Sequence, residues 1–330
     1  MNTIGTVVIG RNEGERLRHC LGSLSHTSVP TVYVDSGSSD GSLELASALG
    51  ATTWALDASR PFSAARARNE GFERLLAQNP GLRYVQFIDG DCTLEPGWIE
   101  AARDALDADP RRAAVVGHLL ERNAEASTYN RLCALEWKSV PGDLEDFGAF
   151  GGISMIRASV FRELGGFNAE VIAGEDSELG VRMGLAGYRV TKIDHAMATH
   201  DANMTTFNQW WRRAVRAGHA IGQRSHLNGA TSHRDCVKER NSTWFWGIGL
   251  PLAALVLAPF THGLSLLPLV GGYLLLAYRV VQYRRGQGDN LGDALLYARF
   301  ILLAKFANGL GLIKFHLNKL ARRYEIIEYK

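Results

Sequence analysis

In the first ninety residues, short apolar runs stop again and again on a polar cluster. Residues 6–9, 31–34 and 84–88 are runs of four or five residues rich in Val, Ile, Tyr and Phe. They end at Arg11-Asn12-Glu13, Asp35-Ser36-Gly37-Ser38-Ser39-Asp40 and Asp89-Gly90-Asp91. A fourth run covers 51–54, and helix-like stretches at about 14–24, 42–49 and 64–76 separate the runs. Buried strands alternating with helices form βαβ units, so the pattern predicts an α/β fold with a mostly parallel sheet. Ligands of such sheets bind in the crevice at the carboxyl ends of the strands. The three polar clusters should therefore converge on one site.

The middle of the chain is mixed. It predicts strands at 113–117, 150–156, 190–193 and 196–199, and helices at 177–186 and 206–217. The last third differs in kind. Residues 244–278 hold 35 positions without Asp, Glu, Lys or Arg, broken near the middle by Pro259, His262 and Gly263. A membrane span needs about 20 apolar residues. Basic residues flank both ends (Lys238, Arg240; Arg279, Arg284, Arg285), which predicts a helical hairpin over about 244–281 with both ends cytoplasmic. Residues 291–320 are apolar but carry Arg299, Lys305, Lys314 and Lys319, and read as an interfacial helix with snorkelling cations.

Charge follows the same division. The chain carries 36 Lys+Arg against 34 Asp+Glu, a net charge of +2 that points to no nucleic-acid partner. Residues 241–330 hold 10 against 4, and the remainder 26 against 30. The apolar end is thus also the basic end, a combination suited to an anionic membrane face. Cys20, Cys92, Cys133 and Cys236 form no Cys-x-x-Cys pair, and the N-terminus has no basic n-region, so a reduced, cytoplasmic catalytic part is expected.

Asp89-Gly90-Asp91 is the sharpest local feature. Carboxylates at i and i+2 after a buried strand reach one crevice, and hard oxygen ligands suit Mg²⁺ or Mn²⁺, which suit a diphosphate. Glu175-Asp176, on a Gly174 turn, is either a second carboxylate pair or a helix cap. His200, after a β run, is either a metal ligand or a turn residue. The Asp35–Asp40 loop fails as a calcium loop, with Asp40 at the sixth position and Ala46 at the twelfth. It can instead offer N–H groups and hydroxyls to a nucleotide.

The order of these motifs resembles the family 2 inverting glycosyltransferases of GT-A fold, over roughly residues 3–225. Arg11-Asn12-Glu13 is similar to the family's Asn-Glu pair after the opening strand, with Gly10-Arg11 in place of the common Pro-x-Tyr. Residues 34–41 resemble its Asp-Asp-Gly-Ser-x-Asp-Gly loop, with Ser36 for the second Asp. Ala67-Arg68-Asn69-x-Gly71, Asp89-Gly-Asp91 and Gly165-Gly-Phe167 followed by Gly174-Glu175-Asp176 match further motifs. Gln209-Trp-Trp-Arg212-Arg213 is similar to the Gln-x-x-Arg-Trp of processive members, but Arg213 stands where Trp belongs, which argues against processive synthesis.

By resemblance, Arg11, Glu13, Asp35, Arg68 and Asp89 would bind the nucleotide part of the donor. Asp89, Asp91 and His200 would hold the metal, and Asp176 would be the general base. Glu175, Gln209, Trp210, Arg212 and Arg213 would face the acceptor; Trp210, Trp211, Arg212 and Arg213 equally suit an amphipathic helix meeting the bilayer. The reading is a catalytic domain over residues 1–235 and membrane-associated helices over 236–330. The expected reaction is inverting sugar transfer from a UDP- or GDP-sugar to a hydroxyl, on a lipid-linked or saccharide acceptor of cell-envelope assembly. The site would lie at the cytoplasmic face of the inner membrane. A nucleotidyltransferase would need a Lys/Arg-rich phosphate clamp near the N-terminus, where Arg11 is the only basic residue before Glu15. A non-catalytic membrane-anchored binding protein gives no reason for acids to recur after successive strands.

Overall fold

The computed structural model describes residues 3–321. In chain order the elements are β1 (Ile4–Gly10), α1 (Glu15–Leu24), β2 (Thr31–Asp35), α2 (Ser42–Ala48), β3 (Thr52–Ala55), α3 (Ala64–Gln78), β4 (Tyr84–Asp89) and β5 (Cys92–Leu94). There follow α4 (Trp98–Asp107), β6 (Arg112–Glu121), α5 (Thr128–Glu136), β7 (Gly142–Asp143), β8 (Ser154–Arg157), α6 (Ala158–Glu163), α7 (Glu175–Leu185) and β9 (Arg189–His200). The remainder is helical: α8 (Phe207–Asn228), α9 (Val237–Thr243), α10 (Leu250–Leu257), α11 (Leu266–Gly286) and α12 (Leu291–Ala321), with a π-helical turn at Trp244–Gly249. The chain packs as two compact units, residues 1–124 with 136–203, and residues 125–135 with 204–330.

The first unit is built on one mixed, mostly parallel sheet in the order β3-β2-β1-β4-β8-β6-β9-β5, with β7 beside β9. β1 through β4 are parallel, β8 runs antiparallel between β4 and β6, and β9 runs parallel to β6. Strands covered on both faces must be apolar throughout, and Val7, Val8, Val32, Val34, Phe87 and Ile88 are all fully buried. The expected strands at 190–193 and 196–199 are one twelve-residue strand. Asp194 and His195 lie where its pairing with β6 slips register, so the polar pair is a bulge rather than a loop.

The second unit gathers α8 with the C-terminal helices. The packing boundary falls between Asn203 and Met204 rather than at residue 235, and α8 is the reason. Gly218 and Gly311 bring the backbones of α8 and α12 together: a Cβ on Gly218 would strike the Asn308 carbonyl, and one on Gly311 the Val215 carbonyl. The predicted hairpin is α10 and α11. In the π-helical turn the Leu250 N–H donates to the Phe245 carbonyl, and the Tyr273 hydroxyl on α11 donates to the Trp246 carbonyl. Among the described residues, two helices are long and apolar enough to cross a membrane by length and composition, Leu266–Gly286 and Leu291–Ala321. The most apolar window of α11 is wholly unburied, whereas a third of that of α12 is buried. The segment read as an interfacial helix is therefore one unbroken helix through Gly309 and Gly311, marked out from α11 by its packing on α8 rather than by its composition.

Candidate active site

Strand register places the polar clusters side by side. β1 lies between β2 and β4, with Gly10 paired to Asp35 on one side and Ile9 to Asp89 on the other. Both carboxylates thus leave the same edge of the sheet. Asp35 is 1% exposed, and its Oδ2 accepts the N–H groups of Gly37 (2.9 Å) and Ser38 (2.8 Å). The Tyr33 hydroxyl donates to its Oδ1 at 3.1 Å; burial, then the charge of Asp35, raises that phenol so it stays a donor. The two loops are stitched together: Asn12 N–H donates to Ser38 Oγ, Asn12 Oδ1 accepts Ser39 N–H, and Gly14 N–H donates to Asp40. Glu13 lies against Gly10 and Gly90 and pairs with Arg16 at 2.7 Å, while Arg11 is exposed.

Arg68 is the hub of the acidic region. It sits on α3, 3% exposed, with Nη2 donating to Asp89 Oδ1 (2.7 Å) and Nη1 to Glu175 Oε1 (2.5 Å). Burial alone would favour losing its proton. The charges of Asp89, Glu175 and Asp176 outweigh that and raise its pKa further, so it stays cationic. Glycine is required at 152, where a Cβ would lie on the guanidinium. Glu175 is 7% exposed and engaged with Arg68. Asp176 is half-buried, one residue on, and its Oδ1 accepts the Ser177 N–H (2.6 Å) and hydroxyl (3.2 Å) in the first turn of α7. The pair is thus split between an ion-pair partner and a carboxylate anchored by one oxygen to its own helix.

Asp91 joins a different set. Among the described residues, Asp91, Cys92 and His200 bring ligand atoms within 4.8 Å of one another. Asp91 Oδ2 stands 3.3 Å from His200 Nε2, because Cys92 pairs with His200 across β5 and β9. Burial, then Asp91 and Asp89, push the Cys92 thiol well up, leaving carboxylate and imidazole as the ready donors. Cis ligands about 2.1 Å from an octahedral ion stand about 3 Å apart. An oxygen and a nitrogen at 3.3 Å fit a divalent ion. Asp89, expected as a further ligand, is paired with Arg68 and lies outside this group.

The family model for glycosyl transferase family 2 matches residues 6–165, and one described as the N-terminal domain of galactosyltransferase matches residues 137–207. Residues 6–165 thus form a glycosyltransferase family 2 domain. Its fold is similar to TarS 1–349 of S. aureus, with a TM-score of 0.52 and 14% identity over 100% of this chain and 95% of that one. It is likewise similar to the mannosyltransferase PcManGT of Pyrobaculum calidifontis, solved with GDP-Man and Mn²⁺, with a TM-score of 0.56 and 16% identity over 98% and 88% of the two chains. Curated protein sequences give no match. The sheet is thus the GT-A arrangement that the motifs implied.

The remaining expected site residues of this glycosyltransferase lie on α8, in the second unit. Gln209 is spent on a capping box: its Oε1 accepts the N–H of Thr205 and Thr206, and its own N–H donates to Thr206 Oγ1. Trp210 is 3% exposed, its ring edge-on to Phe300 of α12 at 4.8 Å. Both side chains have structural work that the acceptor reading did not foresee. Arg212 is exposed and Arg213 half-buried. Two residues beside His200 escaped the sequence reading. Glu121 ends β6 and would have been found by the rule that found Asp35 and Asp89, had the strand been carried beyond Gly117. Trp137, edge-on to the His200 ring at 4.9 Å, carries no local signal at all.

Proposed function

We propose that this chain transfers a sugar, with inversion, from a UDP- or GDP-sugar to a hydroxyl of a lipid-linked saccharide at the cytoplasmic face of the inner membrane. The observation that carries the reading is the division of labour around Arg68. Asp89 and Glu175 are fixed by the guanidinium, while Asp176 keeps its carboxylate beside them and half-exposed. An inverting transfer needs one base to take the acceptor proton as the donor's diphosphate leaves from the opposite face. Asp176 suits that role. Glu175 positions Arg68 rather than meeting the acceptor.

Asp35 and Glu13, at the β1 and β2 edge, would hold base and ribose, with the Gly37 and Ser38 loop fixed for them by Asp35. Asp91 Oδ2 and His200 Nε2 would hold Mn²⁺ or Mg²⁺. Bound there, the ion neutralises charge on the diphosphate without a protonated acid. Membrane attachment is supported by α10 and α11. Leu252, Leu255, Val256, Leu267, Val270 and Leu274 are all roughly half or more exposed, at about 25 cal/mol per Å² of apolar surface left in water.

The test is release of nucleoside diphosphate from a panel of UDP- and GDP-sugars by the full chain in detergent with Mn²⁺. Polyprenyl-linked and free saccharides are compared as acceptors, and the product anomer is read by NMR. Asp176→Asn should lower turnover by a factor on the order of 10² or more with donor binding retained. Unchanged turnover removes Asp176 as the base, and a retained anomeric configuration removes inversion.

A further inference from the structure

Two side chains with no role in the reading so far enclose His200. Glu121 and His200 face each other across the β6–β9 ladder, and Cys92 faces His200 on the other side. The Glu121 side chain is wholly buried. Its Oε1 accepts the Asn123 N–H and its Oε2 the Ala202 N–H, both at 3.2 Å. The His200 ring stands beside this buried carboxylate: Nδ1 lies 3.8 Å from Glu121 Oε2, while Nε2 points the other way, to Asp91. Trp137 meets the same ring at 89°. Its segment is tied to the strand that carries His200, since β7 pairs with β9 and Lys192 donates to the Ser139 carbonyl (2.9 Å) and hydroxyl (2.7 Å).

We propose that Glu121 and Trp137 are positioning residues that set His200 for the divalent ion. Glu121 draws the Nδ1–H toward itself and so leaves the Nε2 lone pair aimed beside Asp91. Trp137 blocks rotation of the ring away from that line. A histidine that binds metal commonly gives its second N–H to a carboxylate, and loss of that partner weakens metal binding about 10–100-fold. The 3.8 Å separation closes with a small ring rotation, as contacts of this kind tighten when the ligand arrives. The inference rests on the proposal that Asp91 and His200 hold the ion.

The experiment is an EPR titration of the full chain in detergent with Mn²⁺ alone, with spin-echo detection of nitrogen coupled to the bound ion. In the unaltered protein an imidazole nitrogen signal is expected, and His200→Ala should abolish it. A signal that survives His200→Ala overturns the metal site itself rather than the positioning role. Glu121→Gln keeps the shape but offers an amide N–H to Nδ1, which favours a proton on Nε2. It should raise the Mn²⁺ dissociation constant about tenfold or more and weaken the nitrogen signal, with Glu121→Asp restoring part of both. Unchanged affinity and signal in Glu121→Gln overturn the inference. Should Glu121→Gln not fold, Trp137→Ala decides, because that ring is half-exposed. A weakened nitrogen signal supports the proposal, and an unaltered one refutes it.

Discussion

Arg68→Met removes a buried cation and strands the two carboxylates it holds. Removing one partner of a buried ion pair costs about 3–5 kcal/mol. The two arms do not contribute equally. The Asp89 side chain is 35% exposed and rehydrates, so its share is about 0–1 kcal/mol. The Glu175 side chain is 9% exposed and stays buried without its partner, so most of the cost falls there. Methionine fills part of the volume, which places the total near about 3 kcal/mol. For a domain of about 150–250 residues that lowers the melting temperature by roughly 6–12 °C. The assay is a fluorescence melt of the full chain in detergent, following the transition that the substitution moves. Adding Glu175→Gln to Arg68→Met removes the stranded charge and should recover at least about 1 kcal/mol. A shift below about 2 °C, or a double variant no more stable than the single one, would refute the account of Arg68 as a buried charge hub.

Asp91→Ala should raise the dissociation constant for UDP or GDP in Mn²⁺ at least about tenfold while leaving the value in EDTA unchanged; calorimetry reads both. His219 on α8 is wholly buried, and burial, then Lys314, lowers its pKa to about 4. The unfolded chain, with the ordinary pKa of about 6.5, binds the extra proton, so stability is intact above about 6.5 and falls as pH drops toward 4. Between pH 7.5 and 5 the loss should be about 2 kcal/mol, and His219→Asn should flatten that slope; parallel stability profiles of variant and parent would contradict it. Full-length protein should float with anionic lipid vesicles through a high-salt wash, and Leu255→Glu with Leu274→Glu should leave it in the dense fraction. Flotation unaffected by that pair would mean the exposed face of α10 and α11 is not the attachment.

The sequence alone carries the α/β class, the parallel strands and the polar residues that end them. Continuous apolar runs and abrupt polar stops are local properties, and β1, β2 and β4 need only their own side chains to declare them. It also determined the helical hairpin, because 35 uncharged residues with one break admit few arrangements. How those residues divide the work follows from their packing. The equivalence of Glu175 and Asp176 in sequence disappears once Arg68, 107 positions earlier, selects one of them. Gln209 and Trp210 read as acceptor contacts until the capping box and Phe300 take them. α8 reads as part of the catalytic domain until Gly218 and Gly311 let it approach α12 closely. Each outcome depends on a partner far along the chain. Local composition records which residues are able to ionise, stack or approach closely, whereas the packing alone settles which neighbour satisfies them.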